Sequence, residues 1–194
     1  MIDILLCSVS LANIFYAFKG SQIISDNGIN LDLMFTLSFL TLWNLYLISL
    51  FCISQIVYRT IKIFKKTKGR FLRNLKAINN ILFPTNLTFS ILITIAYWTM
   101  KLFDNNFFVP KTFMGHKVHI NLITDLRLHF FPALLLIFMW RNYNFHQLNE
   151  ARLTIRITGI LYCIAININY LKYGLWPYNF MKLMKSSSKP RQWH

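Results

Sequence analysis

Acidic residues are scarce: Asp and Glu number 6 in 194 residues against 21 Lys and Arg, and charged residues make up 14% of the chain. A soluble domain carries roughly 25% charged residues, so this chain has too little polar surface to cover a water-soluble fold. Glycine is also rare, at 6 residues, and the sequence holds no Gly-rich phosphate loop, no internal repeat and no zinc-ligand spacing. Cys7, Cys52 and Cys163 lie far apart in apolar stretches with no C-x-x-C pair. They form no disulfide framework and read as small hydrophobes. A net charge of +15 and a pI near 10.0 would suggest nucleic acid in a polar chain. Here the basic clusters are separated by apolar runs, which argues against a nucleic-acid partner and for a lipid one.

What the chain has in abundance is apolar length, with 55% hydrophobic residues and 18 Phe. A transmembrane helix needs about 20 mainly apolar residues to cross roughly 30 Å of hydrocarbon. Five stretches meet or approach that, at 4–18, 33–58, 81–102, 118–140 and 158–176. The first is short and follows Asp3 where a signal peptide would carry basic residues, so it is expected to be an uncleaved span. The expected fold class is an all-α polytopic bundle of about five spans over residues 1–181, with a basic flexible tail at 182–194.

Basic residues set the orientation. Residues 59–76 hold Arg59, Lys62, Lys65, Lys66, Lys68, Arg70, Arg73 and Lys76 with no acid, whereas 19–32 hold one Lys and two Asp. The positive-inside rule puts the first connection in the cytosol and the second on the far side. The N-terminus is then cytosolic, 101–117 lies outside and 141–156 inside. Five spans leave Lys182, Lys185, Lys189 and Arg191 on the disfavoured side. Asn86-Leu87-Thr88 fits the glycosylation triplet but lies within a span. His116 and His119 in the outer loop are two potential metal ligands without a third, and read as a solvated interfacial pair. Neither metal nor cofactor is expected.

Ionisable groups within hydrocarbon are costly and raise a functional hypothesis by default. The fourth span contains Asp125, Arg127 and His129 ahead of Pro132. Asp125 and His129 are four apart and share a helix face, with Arg127 on the other side. A carboxylate one turn from an imidazole can orient it, as in hydrolytic triads; equally, Asp125 can pair with a cation on a neighbouring helix while His129 bonds a backbone carbonyl freed by Pro132. In the second span Ser38, Thr41 and Asn44 form a stripe of the kind that glues helices together. Thr41 and His129 fall roughly 12 and 17 Å below the same side at 1.5 Å per residue, so they can face one cavity. Asn167 and Asn169 of the fifth span can line it or bond neighbouring groups. No His or basic residue accompanies any Cys, which argues against thiol catalysis.

Four segments in order carry a family resemblance: Phe39-Leu40-Thr41-Leu42-Trp43-Asn44-Leu45; Tyr97-Trp98 with Phe103-Asp104 and Val109-Pro110-Lys111; Asp125-Leu126-Arg127-Leu128-His129 with Pro132; and Gly174-Leu175-Trp176-Pro177-Tyr178-Asn179-Phe180. The chain resembles the androgen-induced membrane protein family over about residues 33–181, and its fourth-span segment is most similar to the fungal multipass branch assigned to the endoplasmic reticulum. Vertebrate members are threonine hydrolases of fatty acid esters of hydroxy fatty acids, with one intramembrane Thr and one intramembrane His. The resemblance implies Thr41 and His129 for those roles. It does not supply Asp125, which enters here from helix spacing alone. Between His129 and Pro132 the chain is two residues shorter than the vertebrate pattern, and it ends soon after Phe180, where vertebrate members continue into a further hydrophobic segment.

The expected function is intramembrane hydrolysis of a lipid ester, with Thr41 as nucleophile, His129 as base, Asp125 orienting it, and Asn44 or Trp98 as oxyanion donor. The rival from another class is a non-enzymatic membrane scaffold or regulator in which these polar groups are structural. Orientation is directly testable: a glycosylation acceptor inserted beside Lys66 should stay unmodified in microsomes. Modification there would reverse the topology.

Overall fold

The computed structural model describes residues 2–26, 39–64, 69–103, 112–113, 116–117, 121–140, 143, 148–174, 176, 178 and 181. Its elements are α1 (Ile2–Asp26), α2 (Leu40–Phe64), α3 (Arg70–Phe103), the two-residue strands β1 (Thr112–Phe113) and β2 (His116–Lys117), α4 (Leu122–His129), α5 (Phe131–Met139) and α6 (Leu148–Tyr173). The strands pair antiparallel, Thr112 with Lys117 and Phe113 with His116. The expected tail at 182–194 and the start of the second span at 33–38 lie outside the described residues.

Among the described residues four helical segments are long and apolar enough to span a membrane: Leu40–Phe64, Arg70–Phe103, Leu122–Met139 and Leu148–Lys172; α1 contributes a shorter apolar stretch, Ile2–Ala17. The outer surface is apolar. On α6 alone Leu153, Ile157, Ile160, Leu161, Ile164 and Ile168 are all exposed, a continuous face that water would not tolerate and lipid tails would. Polar side chains are concentrated inside instead: Asn44, Gln55, Asn79, Thr85, Asn86, Ser90, Asp125 and Asn169 are buried. The chain is an all-α multipass membrane protein.

The sequence pattern explains the central helix pair. On α2 the buried residues Thr41, Leu45, Ile48, Cys52 and Gln55 recur every three or four positions, as do Asn79, Phe83, Asn86, Ser90, Ile93 and Tyr97 on α3. Such seven-residue spacing keeps one stripe of each helix facing its partner. The two run antiparallel in a constant register. Asn44 Nδ2 donates to Ser90 Oγ at 2.9 Å, Asn86 Nδ2 to the Leu47 carbonyl at 3.1 Å, Phe51 meets Phe83 at 5.7 Å, and Asn79 Nδ2 donates to Gln55 Oε1 at 2.9 Å. Each step of three or four residues along α2 is matched, to within one residue, by a step back along α3. Asn86 is therefore a fully buried rung of this seam, not a glycosylation site.

α1 packs antiparallel to α2, fixed at one end by the Arg59–Asp3 ion pair. Tyr143, beyond α5, stacks on Phe83 with ring centroids 3.9 Å apart and planes 10° from parallel. α6 lies against α3 and meets α2 where Tyr162 packs edge-on to Trp43 at 6.0 Å.

Several boundaries differ from the sequence expectation: α1 continues to Asp26 past the expected end at 18, and α2 to Phe64 past 58. α3 begins at Arg70 rather than at 81, and its 34 residues span ~51 Å, so its basic first turns project beyond a ~30 Å hydrocarbon core. Arg and Lys are good helix formers once their heads reach water, and positive charge marks the side of the membrane without ending the helix. For the same reason Arg152 and Arg156, expected in a loop, lie within α6. The fourth span is broken into α4 and α5 at Phe130, with φ −120° and ψ −54°.

The seam predicts a coupled stability effect. Asn79→Leu should strand the Gln55 amide oxygen and leave the Ser54 hydroxyl with the Phe51 carbonyl alone, lowering stability by about 1–3 kcal/mol. Asn79→Leu with Gln55→Leu should recover much of that loss in thermal unfolding of the detergent-solubilised protein. Simple additivity of the two would contradict the register.

Candidate active site

α4 starts where the Asn121 side chain accepts the Ile123 N–H at 3.2 Å, an N-cap that places Asp125 in the first turn, where a carboxylate is favoured. The helix stops two turns later because Pro132 has no N–H to continue the ladder. Thr94 of α3 fills the gap. Its hydroxyl shares one proton between the Ser90 carbonyl at 2.7 Å and the His129 carbonyl at 2.5 Å, one way a helix break is satisfied inside a membrane.

His129 is held at its ring as well. The imidazole stacks on Tyr97 with centroids 3.6 Å apart and planes 1° from parallel. Its Nδ1 lies 3.2 Å from the Asp125 main-chain carbonyl. A carbonyl only accepts, so Nδ1 carries a proton, and in the neutral ring Nε2 holds the lone pair. The Asp125 carboxylate goes elsewhere: Oδ1 accepts the Tyr97 hydroxyl at 2.8 Å and Oδ2 is ion-paired with Lys101. Lys101 Nζ also lies 5.1 Å from the Trp98 ring centroid and 5.4 Å from that of Tyr97. Asp125 thus meets the imidazole through its backbone and not through its carboxylate, and its charge is met by a lysine of the neighbouring helix.

Thr41 is buried in the first turn of α2. Beside it the Tyr178 hydroxyl accepts the Leu40 N–H at 3.2 Å and is in hydrogen-bond contact with the Thr41 and Tyr162 hydroxyls. Among the described residues no hydrogen bond joins Thr41 to His129. The α2–α3 register carried one turn beyond Asn44 and Ser90 sets Thr41 opposite Ile93. His129 is anchored on Thr94 and Tyr97, one to four residues further along α3, or ~1.5–6 Å along the axis. The two side chains belong to the same end of the bundle, on adjacent helices of its core, connected by the ladder Asn44, Ser90, Thr94.

Asn44 has one amide proton on Ser90, while its buried Oδ1 has no partner among the described residues. Trp98 Nε1 is likewise buried and unbonded. Asn167 is exposed and bonds back to the Cys163 carbonyl at 2.8 Å, whereas Asn169 is buried. Among the described residues no group of three or more His, Cys, Asp or Glu could hold a metal ion.

Tyr97, Lys101, Ser90, Thr94 and Tyr178 were not identified from sequence as site residues. Tyr97 and Tyr178 stand within the motifs that carry the family resemblance, which was the available signal. Thr94 and Ser90 had none, because small hydroxyl residues are common in spans.

The Lys101–Asp125 pair generates a stability prediction. Asp125 has a side chain 3% exposed and Lys101 27%, and removing one partner of a buried pair costs about 3–5 kcal/mol at full burial. Lys101→Met should lower the unfolding midpoint sharply, and adding Asp125→Asn should restore part of it. An unchanged midpoint in Lys101→Met would show that the pair is not formed.

The profile of the family described as FAR-17a/AIG1-like protein matches residues 2–189 of the chain. No curated protein and no solved structure matches it.

Proposed function

The chain belongs to the FAR-17a/AIG1-like protein family, and on that ground we propose that it is an intramembrane hydrolase of lipid esters, of the kind in which two acyl chains meet at one ester bond, working in the endoplasmic reticulum membrane with Thr41 as nucleophile and His129 as base. The observation that carries the reading is the contact between His129 Nδ1 and the Asp125 carbonyl. The Nδ1 proton is committed to the Asp125 carbonyl, which leaves at Nε2 the lone pair that a general base needs.

In the proposed reaction the Thr41 proton passes to His129 as Oγ bonds the ester carbonyl carbon and the carbonyl π pair moves to its oxygen. Collapse expels the alcohol, which takes the proton back. Water activated by the same imidazole then attacks the acyl-threonine, releasing the acid and restoring Thr41. The unbonded Trp98 N–H and the second amide proton of Asn44 are the candidate donors to the oxyanion. A site within the bilayer suits a substrate whose acyl chains enter laterally from lipid. Thr41 and His129 are not bonded in the free protein, and catalytic hydrogen bonds often tighten only with substrate bound.

The scaffold reading draws on the same geometry, since the Thr41 hydroxyl already has Tyr178 and the Asp125 carboxylate is fully used by Tyr97 and Lys101. Mutant kinetics separate the two. Thr41→Ala and His129→Ala should each reduce lipid-ester hydrolysis by ~10³-fold or more, with the double variant no worse than either, because members of one catalytic unit are non-additive. Thr41→Ser should retain measurable activity. A Thr41→Ala protein that expresses normally and hydrolyses lipid esters at the wild-type rate would favour the scaffold.

A further inference from the structure

The chain after α6 turns back over the start of α2. Gly174, with φ +66°, supplies the left-handed residue that ends a helix, and its N–H bonds the Tyr170 carbonyl at 2.8 Å. Trp176 then stacks on Tyr170 at 4.2 Å. Two residues further on, the Tyr178 ring packs edge-on to Phe39 at 5.8 Å. Turn, stack and edge contact together hold one phenol over the first turn of α2.

That phenol meets three polar groups in one place. Its oxygen has two lone pairs and one proton, and the Leu40 N–H takes one lone pair. The remaining lone pair and the proton serve the Tyr162 and Thr41 hydroxyls. Two senses are possible: Tyr162 donates to Tyr178 and Tyr178 to Thr41, or the reverse. They differ in what they leave Thr41. In the first, Thr41 accepts a hydrogen bond and keeps its own proton for a base. In the second, that proton is committed to Tyr178.

We propose that Tyr178 is a catalytic residue of the Thr41 centre, its hydroxyl donating to Thr41 Oγ and stabilising that oxygen as its proton leaves for His129. Once Thr41 loses its proton its oxygen can only accept, so the first sense alone survives in the transition state. The Leu40 N–H and the Tyr162 hydroxyl, both donating to the Tyr178 oxygen, polarise its O–H toward Thr41. The proposed centre thus gains a third member from the segment after α6. This inference rests on Thr41 as nucleophile. The competing account makes Tyr178 only a cap for an orphan N–H of α2, which would affect folding but not the reactivity of Thr41.

The test is covalent labelling of the purified full-length protein by an alkyl fluorophosphonate with a long acyl-like chain. In that reaction the Thr41 Oγ–P bond forms, the P–F bond breaks, fluoride leaves and the proton passes to His129. Tyr178→Phe should lower the maximal labelling rate by about 100-fold, the effect of one preorganised donor, while the reversible binding constant of the probe stays within about twofold. Tyr162→Phe should lower it less. Labelling of Tyr178→Phe at the wild-type rate, with Thr41→Ala unlabelled, would overturn this inference and leave Thr41 as nucleophile. Labelling of Thr41→Ala at the wild-type rate would overturn both. Should Tyr178→Phe fail to fold, 3,5-difluorotyrosine at 178 keeps ring, hydroxyl and cap while strengthening the donor. It should change the labelling rate and shift its pH profile, and an unchanged rate and profile would overturn the proposal.

Discussion

Hydrocarbon offers no water to a buried polar group, so each such group in this chain must find its partner within the protein. The α2–α3 seam follows from that constraint. An apolar interface can slide by a turn at small cost, because one methyl group replaces another. A seam whose rungs are Asn44 on Ser90, Asn86 on the Leu47 carbonyl and Asn79 on Gln55 cannot, since a slip breaks all three together. Register is thereby specified to the residue. Everything at the other end of the pair inherits it, including the placement of Thr41 opposite Ile93.

α3 organises the rest. Ser90 receives α2, Thr94 receives the carbonyl released at the α4–α5 break, Tyr97 receives the imidazole and Lys101 the carboxylate. These four positions are three or four apart, so they climb one face of a single helix. The break at Phe130 is what lets α4 present Asp125 and His129 to that face while α5 continues with an apolar contact surface of its own, where Leu136 and Met139 are buried.

The spans were legible in the sequence because apolar runs of membrane length have few alternatives. Their ends were less so: the basic residues of 70–76 signal which side of a membrane they occupy but are equally content inside a helix that projects past it. For the site, Thr41, Asn44, Asp125 and His129 stood out as polar groups inside apolar runs. Tyr97, Tyr178 and Lys101 did not, for a physical reason. Aromatics with a polar tip, and a lysine at the end of a span, are ordinary residues of the membrane interface. Only tertiary contact distinguishes an interfacial tyrosine from one stacked on a histidine, and helix spacing carries no information about a partner 32 residues away.

The same limit explains why spacing misassigned the means by which Asp125 acts on His129. Four residues apart on one helix, a carboxylate and an imidazole can meet, but the carboxylate has a better offer. A charge-assisted bond to Lys101 is roughly twice as strong as one to a neutral donor, and a carboxylate in a low-dielectric site needs a full countercharge more than it needs an imidazole N–H. With the side chain so engaged, the Asp125 carbonyl takes over the tautomer of His129, a task that any acceptor at that position performs. What the carboxylate does in a hydrolytic triad beyond this is to stabilise the imidazolium once the base has taken its proton. Here the face of Tyr97, parallel to the ring at 3.6 Å, is placed for that task, because an aromatic face attracts a cation. In the proposed reaction the positive charge on His129 is then met by a ring quadrupole, with the Asp125–Lys101 pair nearly neutral one turn away. The imidazolium and the oxyanion formed with it carry opposite charges, so the proton transfer adds no net charge to the hydrocarbon.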